Sequence, residues 1–210
     1  MLDTEPIYKV AWQTAAAELG YDLDDAFYAG FVGRPNGDCE RLLLQRFGAA
    51  FPLDRFRARW PRRWSAEVDT KGIRQKDGLL DLLTLLENRR VPFAIATSSA
   101  SEEATFCLRA AGLDGRFTVI VTSDQVANGK PAPDLYLEAA RRLQIDPARC
   151  VALEDSEAGV LAASRAGMVP LLIPDMTPPS DVAVRAAFRV LASLTEAEPL
   201  VRELIEGGAS

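Results

Sequence analysis

The sequence predicts an α/β protein, a helical module followed by an open parallel sheet with helices between its strands. Three observations predict it. Residues 5–72 carry helical apolar periodicity and no β-rich run. After Gly78, short apolar runs appear without strict polar alternation, the pattern of strands covered on both faces. These runs recur roughly 15–30 residues apart with amphipathic segments between them, the spacing of βα units.

Taken in order, Ile7, Val10, Ala11, Thr14, Ala15 and Leu19 form one apolar face, and Gly20 ends that helix. Leu42, Leu43 and Phe47 form the next face in GDCERLLLQRFG, and Pro52 and Pro61 are expected to punctuate a third stretch. That stretch holds Arg55, Arg57, Arg59, Arg62 and Arg63. It reads as a solvated helical face with Trp60 or Trp64 turned inward, or else as an anion-steering patch. The strands are expected in VPFAIATSS (91–99), FTVIVTS (117–123), CVALEDS (150–156) and VPLLIP (169–174). The helices SASEEATFCLRAAGL, PAPDLYLEAARRLQI and EAGVLAASRAG follow the first three, and Gly112 and Gly167 stand where two of them stop. The tail TEAEPLVRELIEGGAS reads as a last helix with a frayed end.

Composition narrows the function. Over 210 residues the apolar fraction is 48% and the formal net charge −6, which argues against a nucleic-acid binder or a membrane-surface protein. No apolar stretch approaches the roughly 18 residues needed to span a bilayer. Cys39, Cys107 and Cys150 form no CxxC and read as reduced thiols of a cytoplasmic protein. The absence of histidine removes Ser-His-Asp and Cys-His chemistry and His-ligated zinc. Carboxylates, hydroxyls and lysine are left to carry any reaction.

Polar residues gather at three strand ends, where open parallel sheets place their ligands. Thr97, Ser98 and Ser99 follow the first apolar run and precede a helix. They are either a phosphate cradle or ordinary N-caps. In GKPAPD, Lys130 sits between Gly129 and Pro131, either as a rigid point charge for phosphate or as a solvent-exposed turn lysine. Glu154 and Asp155 end the strand in VALEDS. Adjacent carboxylates there need a compensating cation, which suits a Mg2+ half-site, unless they form an exposed acidic turn capping the next helix.

In that order on successive strands, these motifs resemble the haloacid-dehalogenase-like phosphohydrolases, in the branch of β-phosphoglucomutase-like enzymes and small-metabolite phosphatases. The resemblance covers the whole chain. It implies a Rossmann-like three-layer parallel-sheet core over residues 1–4 and 73–210, with a helical cap inserted at 5–72. By the same likeness Thr97 and Lys130 are catalytic, Ser98, Ser99 and the cap residue Arg34 bind substrate, and Glu154 and Asp155 hold Mg2+. Gly33 and Arg34, in FVGRP, fall where related caps reach toward substrate.

The family's nucleophile belongs to an Asp-x-Asp-Gly motif at the end of a central strand ahead of MLDTEPIY. Asp3, Thr4 and Glu5 match only the hinge beyond that motif, so Asp3 is not the nucleophile. The expectation is that the first, central strand lies outside these residues and that the natural protein begins about a dozen residues upstream of Met1. Sugar phosphomutases of this branch carry a histidine where Tyr8 stands. The reading is therefore a Mg2+-dependent phosphatase of a small phosphorylated metabolite, acting through an aspartyl-phosphate, as a monomer. A sugar phosphomutase or a non-catalytic phospholigand binder is the alternative. Dehalogenation uses no Mg2+ and leaves the acidic pair without a role.

Overall fold

The computed structural model describes residues 1–32, 36–175 and 178–207. The chain divides into two units, Leu2–Arg74 and Met1 with Gln75–Ser210.

In the first unit the helical periodicity is realised as α1 (Glu5–Ala17), α2 (Asp25–Tyr28), α3 (Asn36–Phe47) and α4 (Leu53–Lys71). Pro6 stands in the first turn of α1, where its missing N–H has no intrahelical partner to lose. The Asp24 carboxylate caps α2 by accepting from the Phe27 N–H. The buried stripe of α1 is shifted from the expected one. Trp12 is buried with Ile7, Ala11, Ala15 and Ala16, whereas Val10 is exposed. An indole withdraws far more apolar area from water than a valine, so the ring decides which face turns inward.

Pro61 does not end the third helix, because α4 runs through it for 19 residues. A proline there removes the hydrogen bond to the Arg57 carbonyl and strains the turn. Against that, Phe56, Trp60, Trp64 and Val68 recur at four-residue steps and pack toward α1. Tyr8 meets the rings of Trp60 and Trp64, and Trp12 meets Phe56 edge-on at 5.2 Å. The arginines of α4 lie on its outer side, Arg57 on Glu40 and Asp54 and Arg63 on Glu18. The solvated-face reading of that run holds, with both tryptophans turned inward.

The second unit contains α5 (Leu79–Asn88), β1 (Ala94–Ala96), α6 (Ser101–Ala110), β2 (Val119–Val121), α7 (Asp134–Leu143), β3 (Val151–Glu154), α8 (Glu157–Arg165), β4 (Val169–Leu172), α9 (Asp181–Ala186), β5 (Arg189–Val190) and α10 (Leu194–Gly207). All four expected strands are present and shorter than their apolar runs. The sequence pattern did not single out α5, α9 or β5. LLDLLTLLEN, which holds α5, is so leucine-rich that its helical period is masked, and β5 has only two residues. Gly112 and Gly167 follow α6 and α8 at φ 68° and 79°, a left-handed stop that glycine adopts without strain.

All strand pairs are parallel. Ala94 to Ala96 pair with Val119 to Val121, while Val151 to Glu154 pair with Val169 to Leu172, and β5 extends that second ladder. Among the described residues no ladder joins the β1–β2 pair to the β3–β4–β5 sheet. Helix α7 lies against β1 and β2, and α8 against β3 and β4. Their contact face is alanine-rich (Ala140, Ala152, Ala162, Ala163, Ala166), which lets helix and strand backbones approach closely. Among the described residues no helix is long and apolar enough to cross a membrane.

Candidate active site

The carboxyl ends of β1, β2 and β3, with the loop before α7, bring the expected residues together. The Thr97 N–H donates to the Val121 carbonyl at 2.9 Å, one step past the β1–β2 ladder. The Thr97 hydroxyl oxygen accepts from the Ser99 N–H at 3.1 Å, which leaves its proton free to donate. The Ser123 N–H donates to the Ser99 carbonyl, so the two strand ends turn together. Neither Thr97, Ser98 nor Ser99 caps α6, whose N-cap is Ala100 without a side-chain bond. Ser98 is exposed.

Lys130 is not an exposed turn lysine, since its side chain is only 11% exposed. Its loop is pinned on both sides. Asp134 Oδ1 accepts from the N–H and side-chain amide of Asn128, and Arg165 donates to the Pro131 carbonyl at 2.7 Å. The ammonium donates to the Ala96 carbonyl at 2.9 Å and pairs with Glu154 Oε1. It therefore bridges the end of β1 to the end of β3, which no ladder joins among the described residues.

Glu154 is the last residue of β3 and is buried, as is Thr122. Strand alternation places it on the same face as Ala152, toward α7 and α8. There Oε1 accepts from Lys130 and from the Tyr136 hydroxyl, and Oε2 accepts from the Ser156 hydroxyl at 3.2 Å. The Ser156 oxygen in turn accepts from the Gly159 N–H and caps α8. A Cβ on Gly159 would stand 1.8 Å from Glu154 Oε2, so only glycine leaves room for the carboxylate. Burial, then the charge of Glu154, pushes the Tyr136 hydroxyl far above its ordinary pKa and keeps it a donor.

Asp155 behaves differently from its neighbour. It keeps access to solvent at the strand end, yet enough protein crowds its carboxyl to raise its pKa. Lost solvation is the larger cause and the charge of Glu154 the next, partly offset by the Met1 α-ammonium and Lys130. The two carboxylates are thus adjacent in sequence and distinct in environment. One is enclosed by three donors, the other open and only partly compensated.

The family model for haloacid dehalogenase-like hydrolases matches residues 1–173. The chain belongs to that family. Its relatives among the haloacid dehalogenase-like hydrolases include the phosphorylated carbohydrates phosphatase of Thermotoga maritima, 32% identical over 80% of this chain and 77% of that protein. A β-phosphoglucomutase-like crystal structure from T. maritima is similar at a TM-score of 0.84 and 27% identity, covering 97% of this chain and 94% of that one. A family hydrolase from Deinococcus radiodurans R1, crystallised with bound phosphate and sodium, is similar at 0.79 and 31% identity, covering 97% and 91%.

Arg34 and Gly33 lie outside the described residues. The Tyr8 ring meets the rings of Trp60 and Trp64. Among the described residues no three His, Cys, Asp or Glu side chains converge as metal ligands. What the strand end offers is a pair of carboxylates, one of them only partly compensated, which fits Mg2+, an ion content with one or two carboxylates and its own waters. The sequence reading missed Tyr136, Ser156 and Gly159. The signal that could have found Tyr136 is its place in the first turn of the helix that the Lys130 loop leads into.

Proposed function

We propose that this protein is a phosphatase of small phosphorylated metabolites, with sugar phosphates as its substrate class. One observation carries the reading. The buried Lys130 ammonium is fixed between the ends of two strands, bonded to the carbonyl of Ala96, the residue before Thr97, on a haloacid dehalogenase-like fold. Of its three protons, two go to Ala96 and Glu154, and no described residue accepts the third. A fixed, desolvated cation with a donor to spare is what a phosphoryl group with three charged oxygens requires.

The residues divide the work as follows. Lys130 and the Thr97 hydroxyl donate to non-bridging oxygens of the phosphoryl group, and Ser98 and Ser99 hold the remainder of the phosphate. Asp155, with Glu154, would hold Mg2+. When bound, Mg2+ supplies positive charge against the negative charge that builds on the phosphoryl oxygens. An aspartate carboxylate attacks phosphorus in line while the bond to the sugar oxygen breaks and that oxygen takes up a proton. Water then cleaves the aspartyl-phosphate and regenerates the carboxylate. Asp3 is not that aspartate. In the same reading residues 5–72 form the cap that selects the substrate.

The test is phosphate release by protein purified from its native source, on a panel of hexose and hexitol phosphates, with Mg2+ and after chelation. Release that needs Mg2+ and disappears in Lys130→Met supports the proposal. Thermal stabilisation by phosphate with no release from any substrate points instead to a phospholigand binder and overturns it.

A further inference from the structure

Two further contacts converge on one ring. Tyr136 is 7% exposed and gives its hydroxyl proton to Glu154 Oε1. The Lys130 ammonium stands 5.1 Å from the centre of the same ring, close enough for the ring face to attract it. A phenylalanine would fill this part of the core equally well, so packing does not account for the hydroxyl.

The hydroxyl changes what Glu154 can do. A carboxylate oxygen has two lone pairs, and Oε1 uses both, one on Lys130 and one on Tyr136. That oxygen has nothing left for a cation. Without the tyrosine proton, Oε1 would have a single donor, the ammonium, and would draw it inward against the carboxylate. Two neighbouring carboxylates would then compete for one cation, and Lys130 would stand farther from any phosphate at the strand ends.

We propose that Tyr136 is a positioning residue of the phosphate site. Its hydroxyl shares the Glu154 charge with Lys130, and its ring supports the ammonium from the side. Together they hold the third ammonium proton outward and leave Asp155 as the carboxylate that faces the cation. The proposal rests on the phosphatase reading in one respect, the anion that this third proton meets.

Tyr136→Phe keeps the ring and removes only the hydroxyl. It should lower kcat about tenfold, the smaller end of what a lost supporting hydrogen bond costs a site, with KM changed less than about twofold. Inorganic phosphate, titrated by thermal shift in Mg2+, should bind the variant several-fold more weakly. Urea unfolding of the Tyr136→Phe and Glu154→Gln single and double variants reads the hydroxyl–carboxylate bond without any ligand, and the two changes should not add. Additive effects in that cycle overturn the proposal. So does a Tyr136→Phe protein that is less stable yet keeps wild-type kcat and phosphate affinity, since the tyrosine would then only pack. A wild-type protein that neither binds nor releases phosphate removes the functional reading itself, and the defect then shows before any variant is made.

Discussion

In the helical unit the core is built of rings. Trp12 meets Phe31, Phe56 and Trp60 at 5.2 to 5.8 Å, and Phe51 continues the contact to Phe47 and Tyr21. Around the candidate site of the α/β unit the core is mostly alanine, and its largest side chain, Tyr136, is there with a polar task. The difference teaches where each region keeps its stability. Rings spread it over a large apolar area, so no single contact dominates. Alanines contribute little area each, but they let two helices and two strands close around a lysine and a glutamate. There, losing one partner of a single charge pair leaves the other charge buried alone.

The largest expected effect breaks that pair. Lys130→Met should destabilise by about 3–5 kcal/mol in urea unfolding, because it leaves the Glu154 carboxylate buried without its counter-charge. Adding Glu154→Gln should recover much of the loss. A double variant no better than Lys130→Met would show that the alanine-lined region depends on packing after all. Phe56→Ala, at 0% exposure among the rings, should cost about 3–4 kcal/mol in the same measurement with no second-site rescue by a charge change.

Two smaller effects sharpen the comparison. Gly159→Ala should cost about 1–3 kcal/mol, as overpacking does when a rigid neighbour must move. Unlike an ordinary core change, it should also weaken phosphate binding, because the displaced group is the Glu154 carboxylate. Asp155→Asn should give the smallest change, of opposite sign. The folded protein holds a proton on Asp155 more readily than the unfolded chain does, so its ionised form opposes folding above the raised pKa and has no effect below about pH 4. The variant should therefore melt slightly higher than wild type near neutral pH and equally at acid pH. It should also lose the stabilisation that Mg2+ gives the wild type. Equal melting at both pH values would mean that Asp155 is not under strain.

The sequence made the ends of the strands legible, and the interior less so. Thr97, Glu154 and Asp155 were visible because polar residues at the ends of apolar runs are unusual, and Lys130 because it is fixed between Gly129 and Pro131. What made Lys130 and Glu154 a pair was not visible, since Tyr136, Ser156 and Gly159 read as ordinary helix-start residues until the helices fold onto β3. Local rules also failed where a large ring outweighed them. Pro61 is a helix breaker by propensity, yet Phe56, Trp60, Trp64 and Val68 hold α4 straight through it. Val10 fits an apolar stripe as well as Trp12 does until the areas are compared.

The bridge that Lys130 makes from the Ala96 carbonyl to Glu154 also couples two slow clocks. The amide of Thr97, bonded to Val121, and the amide of Ile173, bonded to the Glu154 carbonyl, belong to separate ladders and could exchange with solvent independently. With one ammonium tied to both strand ends, the openings that free these two amides become a shared event. An anion that draws on the third proton pulls on both ladders at once. Deuterium uptake at two positions more than seventy residues apart in sequence should then rise and fall together with phosphate occupancy, and the protein would report its own ligand through its backbone.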